Sequence, residues 1–139
     1  MKLKTSAADK WFSLKIRLRD DYTCQKCKIP YEHSENQLDC SHYHSRKKMS
    51  VRFDEDNCVT LCKKCHLYFD GNGAWNLPAH KKEHKEFMIK RLGQKRFDAL
   101  EARASLHASH MRLNEIGLAI VFKQEVQEMK LKRMEGKLT

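Results

Sequence analysis

Two Cys-x-x-Cys pairs constrain this chain more than any other feature: Cys24-Gln25-Lys26-Cys27 and Cys62-Lys63-Lys64-Cys65, with 34 residues between them. Each pair can turn two thiolates toward one ion, and two pairs complete a tetrahedral four-sulfur site for zinc. The expectation is a loop closed on structural Zn2+ by Cys24, Cys27, Cys62 and Cys65. The lysines inside and beside the pairs offset the charge that four thiolates concentrate. A redox role would call for a βαβ pattern around the pairs, and the sequence has none. Cys40 and Cys58 lack such spacing and read as small buried apolar residues.

A chain of 139 residues fits one domain, and 40% hydrophobic residues suffice for a core. The longest apolar run, Ile116 to Phe122, is far short of the ~20 residues of a membrane span. Nothing apolar follows Met1-Lys2-Leu3-Lys4, so no secretory signal is expected, and the chain reads as cytoplasmic, without a membrane partner. With 28 Lys+Arg against 18 Asp+Glu, the net charge of +10 points to a polyanion, nucleic acid first. The charge is spread: residues 1–78 hold 14 basic and 10 acidic groups, residues 79–139 hold 14 and 8.

Along the chain, residues 6–20 predict a helix capped by Ser6, with Trp11, Phe12, Leu14, Ile16 and Leu18 apolar. Gln37 to Tyr43 predicts a strand, Val51-Arg52-Phe53 an extended segment, Asp54 to Asn57 a polar turn, and Cys58 to Leu61 a second strand. A short helix from Lys63 ends before the breaker Gly71-Asn72-Gly73. Ala79 to Leu92 and Gln94 to Ala104 read as helices, residues 105–110 as a hinge, and Met111 to Met134 as a long helix. Two parts follow: residues 1–78, a helix plus a zinc-knuckle core, and residues 79–139, a basic helical extension. The last helix carries Leu118, Phe122, Val126 and Met129 on one face; it either packs on the first helix or pairs with a second copy as a homodimer.

The insert between the cysteine pairs holds the chemistry. It contains Asp39-Cys40-Ser41-His42-Tyr43-His44 and later Asp56-Asn57, and His66 follows the second pair at once. Zinc closure draws the ends of the insert together, so the strand bearing His42 lies beside the helix that starts near His66. Strand, strand, helix, with an imidazole on the first strand and another on the helix, is a ββα arrangement.

In order and spacing, His42, Asn57 and His66 resemble the motif of the HNH (ββα-metal) endonucleases, above all in Asn57-Cys58-Val59-Thr60-Leu61-Cys62-Lys63-Lys64-Cys65-His66. A closer resemblance is to the phage NinG (Rap) recombination proteins. It rests on Asp9 to Leu14 with Ile16 to Asp20, Ser41-His42-Tyr43 with Ser45-Arg46, Arg52-Phe53-Asp54, and Ile89 to Gly93. The resemblance implies an α+β fold: a small zinc-stabilised ββα-metal core, flanking helices and a long C-terminal helix. It implies a metal-dependent nuclease that hydrolyses DNA phosphodiester bonds in the bacterial host, on branched, recombining or packaging DNA, alongside phage recombination or packaging proteins. His42 would be the general base, Asn57 a brace, and His66 a ligand of one catalytic Mg2+ or Mn2+.

Many family members place Asp or His directly before the base as a second ligand; here that residue is Ser41. His44, two along from His42, and Asp70, four after His66, are the first replacements, with Asp39 third. The rival reading is a catalytically silent zinc module that binds DNA. Backbone contacts are expected from Arg46, Lys47, Lys48, Lys63, Lys64, Lys81, Lys82 and Lys85, joined by Lys90 and Arg91. His80 and His84, spaced i, i+4, read as part of an exposed basic face, and His33, His107 and His110 as surface residues.

Overall fold

The computed structural model describes residues 4–31, 35–70, 78–106 and 114–138. Among these the fold is α+β, with five helices and one two-stranded antiparallel sheet. Helix α1 spans Ala7–Arg19. Ser6 caps it in a reciprocal box: the Ser6 Oγ accepts from the Asp9 N–H at 3.1 Å, and the Asp9 carboxylate accepts from the Ser6 N–H at 2.8 Å. Strands β1 (Leu38–His42) and β2 (Cys58–Cys62) pair with Leu38 opposite Cys62 and His42 opposite Cys58. Helix α2 (Lys63–Asp70) leaves β2 with no intervening loop. Helices α3 (Pro78–Leu92) and α4 (Gln94–Ala104) meet at Gly93, whose φ of +85° suits glycine. Helix α5 spans Glu115–Leu138.

Three apolar clusters join these elements. Phe12 and Ile16 of α1 pack on Cys58 and on Phe122 of α5. Leu18, Val59, Leu61, Phe69 and Val126 form a second cluster beside the cysteine pairs. Met88, Leu92, Phe97 and Leu100 of the α3–α4 hairpin enclose Val51 from the insert. The long helix thus packs on α1, the first of its two expected placements. No helix among the described residues is long and apolar enough to cross a membrane.

One element differs from expectation. Val51-Arg52-Phe53 is not extended but lies in consecutive turns. The Val51 N–H donates to the Lys48 carbonyl, the Asp54 N–H donates to the Val51 carbonyl, and Asn57 Nδ2 donates to that same carbonyl. Those bonds drive Val51 into the α3–α4 core, a tertiary gain that outweighs the β preference of its side chain. The polar turn after it is one turn of 3-10 helix, Glu55–Asn57, capped by Asp54. The Gly71-Asn72-Gly73 breaker, residues 107–110 of the hinge, residues 111–113 of the last helix, and His33, His107 and His110 lie outside the described residues.

Candidate metal centre and cleft

The four paired cysteines meet. The Sγ atoms of Cys24, Cys27, Cys62 and Cys65 all lie within 4.8 Å of one another, and Cys27 and Cys62 are 4.0 Å apart. Zn–S bonds of ~2.3 Å in a tetrahedron set sulfurs about 3.8 Å apart, so the cluster is sized to hold a zinc ion. The first pair sits in a tight knuckle. The Lys28 N–H donates to the Cys24 carbonyl at 2.8 Å, Lys28 takes a φ of +62°, and Thr23 bridges Pro30. The second pair straddles the β2–α2 junction, so an ion here ties the knuckle to the strand and helix that carry His66. Burial alone would raise the Cys24 thiol, but N–H groups of Cys27, Cys62 and Lys26 outweigh it and lower the pKa to about 7. Burial and the neighbouring thiols push Cys65 the other way. A cation bound among the four sulfurs would draw them into a full thiolate set.

Beside this centre lies a cleft of about 710 Å³ lined by Asp39 and His42 of β1, His66 and Asp70 of α2, Arg46, and Lys10 and Arg17 of α1. His42 Nε2 donates to the Arg52 carbonyl at 3.0 Å, which leaves Nδ1 as the ring's acceptor. Burial, and then the Arg46 charge, lower the His42 pKa, so the ring is neutral at neutral pH. The Arg52 guanidinium is itself fixed by the buried Asp9 carboxylate, with Nε to Oδ1 at 3.0 Å.

Asn57 is fully buried and ties the loop after β1. Its Oδ1 accepts from the His44 N–H at 2.8 Å, and its Nδ2 donates to the His44 and Val51 carbonyls at 3.0 and 3.1 Å. His66 is held between two carboxylates, Nδ1 to Asp39 Oδ2 at 2.9 Å and Nε2 to Asp70 Oδ2 at 2.8 Å. Burial disfavours its charge, yet the bonds to Asp39 and Asp70 prevail and raise its pKa to about 9. At neutral pH this imidazole is a cation. Asp39 also pairs with Lys63. Burial would raise the Asp39 pKa, but His66 and Lys63 outweigh it and lower it.

Not every candidate joins the cleft. His44 lies past the end of β1, so strand alternation no longer sets its direction; its Nε2 meets Glu101 of α4 at 2.6 Å. Ser41 is fully buried, and no described group bonds its hydroxyl. Asp39, ranked third from sequence, lies within reach of His66. The cleft is lined from both faces of β1 and so runs along the strand's unpaired edge, where alternation does not separate Asp39 from His42. Lys10 and Arg17 were not singled out from sequence. With Ser13 they stand at i, i+3 and i+7, one stripe of α1, and that periodicity was the signal.

His80 and His84 correct the expected basic face: both are buried. His84 stacks on Phe69 with ring centroids 4.3 Å apart, and His80 Nδ1 bonds the Tyr68 carbonyl at 3.2 Å. The lysines between them, Lys81 and Lys82, and Lys85 after them, are exposed, as are Lys47, Lys48, Lys63 and Lys64. Cys58 is buried as expected, whereas Cys40 is only partly so and lines the cleft.

These features define a small α+β protein with a four-cysteine centre and a cleft that holds imidazoles, carboxylates and the cations Lys10, Arg17 and Arg46. A family model described as the bacteriophage lambda NinG protein matches residues 4–134. The chain belongs to that family of phage proteins. No curated protein and no solved structure matches it.

Proposed function

We propose that this chain is a metal-dependent endonuclease of the HNH type, hydrolysing DNA phosphodiester bonds in phage recombination within the host cytoplasm. One observation carries the reading: His42, Asp39 and His66 share a cleft with the cations Lys10, Arg17 and Arg46. The cations hold a phosphodiester by its charge. His42, neutral and held by the Arg52 carbonyl, takes the proton of the attacking water. Asn57 keeps the turn after His42 rigid through its three hydrogen bonds.

His66 Nδ1 and Asp39 Oδ2 would hold a divalent ion once the ion displaces the proton between them. The two atoms already lie 2.9 Å apart, so both can reach one ion without rearrangement of β1 or α2. Asp70, on the opposite ring nitrogen, is then the outer carboxylate that orients the imidazole. A single imidazole and a carboxylate, with water elsewhere, suit Mg2+ or Mn2+. Bound there, the ion would neutralise charge on the phosphate and on the leaving oxygen. Asp39 thus serves where Ser41 cannot.

The buried Ser41 also supports a second reading, a silent zinc module that binds DNA for recombination or packaging partners. Cleavage of plasmid and of a four-way junction, with Mg2+ or Mn2+ and with EDTA, separates the two. The nuclease reading expects metal-dependent cutting by the wild type. It expects that cutting to fall at least ~100-fold in His42→Ala, with DNA binding kept. Tight binding with no cutting under either metal would leave the binding module.

A further inference from the structure

The mechanism above leaves two cysteines unused. Cys58 lies directly opposite His42 in the sheet, and Cys40 precedes His42 by two residues on the same strand face. Their Sγ atoms and a His42 ring nitrogen all lie within 4.8 Å of one another. Both cysteines are free thiols. This trio is remote from the four-cysteine centre: Cys58 and Cys62 mark opposite ends of β2, about 13 Å apart at strand rise.

We propose that Cys40, His42 and Cys58 form a second, exchangeable site for a zinc-type dication, and that filling it switches off the base. Two thiolates and an imidazole are a borderline-soft donor set that prefers Zn2+ or Co2+ to Mg2+ or Mn2+. Three protein ligands leave the fourth tetrahedral position open, unlike the closed four-ligand pattern of structural zinc. Cys40 and His42 line the cleft, so an ion enters from solvent, while Cys58 closes the site from the core. A neutral imidazole has one lone pair; an ion that takes it leaves none for a proton. The switching half of this proposal rests on the nuclease reading; the metal site does not.

The test uses the full chain carrying its tightly held zinc, titrated with Co2+ and followed by thiolate-to-cobalt absorption. The wild type should take up one further equivalent. Cys40→Ser should lose it while keeping the first zinc and an unchanged far-UV circular dichroism spectrum. Cys40→Ala is the second variant should serine disturb the strand. No thiolate–cobalt band beyond the first site, or a band that persists in both variants, overturns the site. A second arm adds zinc in slight excess to Mg2+-dependent cleavage. Wild-type cutting should stop and Cys40→Ser cutting should continue; equal inhibition of both overturns the switch. Cobalt uptake by a protein that never cuts keeps the site and removes the nuclease reading, and with it the switch.

Discussion

His84 shows how burial rewrites a titratable residue. It stacks flat on Phe69, meets Tyr43 edge-on, and its Nε2 has no partner among the described residues. Burial lowers its pKa to about 4. Between that value and the ~6.5 of an unfolded chain, the unfolded state binds more protons, so stability falls as pH drops through this window. Relative to neutral pH, the cost at pH 5 is about 2 kcal/mol from this residue alone. His84→Phe keeps a ring on Phe69 and removes the orphaned nitrogen. Denaturant melts should therefore show the variant gaining about 2 kcal/mol on the wild type between pH 7 and pH 5. Parallel pH profiles for the two proteins would refute the assignment. The same residue marks a limit of sequence reading. An i, i+4 histidine pair among lysines looks like a charged face, and only the packing of α3 against α2 turns it inward. His42, Asn57 and His66 stood out through their resemblance, in order and spacing, to the HNH motif. Asp39 and Lys10 were obscured because they reach the cleft at a strand edge and from a different helix.

Elements were legible where short-range rules act. The Ser6 cap, the two strands and the α3–α4 joint at Gly93 all fall within about a residue or two of expectation. Val51 to Phe53 was not, because its turns answer to Asn57 and to helices far along the chain. That division predicts how the molecule comes apart. A zinc ion at Cys24, Cys27, Cys62 and Cys65 would cross-link the knuckle to the end of β2 and the start of α2, adding to the Gln25 N–H bond to the Thr60 carbonyl and the small cluster they share. By contrast, the α3–α4 hairpin has its own cluster around Met88, Phe97 and Leu100. Stripping the metal with a strong chelator should lower the melting temperature by ~10 °C or more. Hydrogen exchange should lose protection first in the knuckle around Cys24 to Tyr31 and in β2, while Met88 to Leu100 stays protected. An unchanged melting curve after verified metal loss would show that the cysteines are packing residues.

At the scale of the whole molecule, the net charge of +10 is sorted by the fold. Lys10, Arg17 and Arg46 face the cleft, Arg91, Arg96 and Arg103 are spent on Asp54, Asp56 and the backbone nearby, and Lys81, Lys82 and Lys85 stand outward on α3. The α3 lysines are the arm that would follow a DNA backbone away from the cleft, whereas Lys130 and Lys132 lie on α5, the helix that packs against α1. Each lysine that neutralises a phosphate contributes ~0.9 to the slope of log affinity against log salt. Replacing Lys81, Lys82 and Lys85 with alanine should make that slope shallower by roughly 2 to 3, as read by fluorescence anisotropy on a junction or duplex. Replacing Lys130 and Lys132 should leave the slope unchanged, because charge without a phosphate opposite it releases no counterion. Equal effects from both sets would mean that total charge, not its placement on α3, governs binding. An effect confined to the first set would fix the path of the backbone across α3 into the cleft where His42 stands.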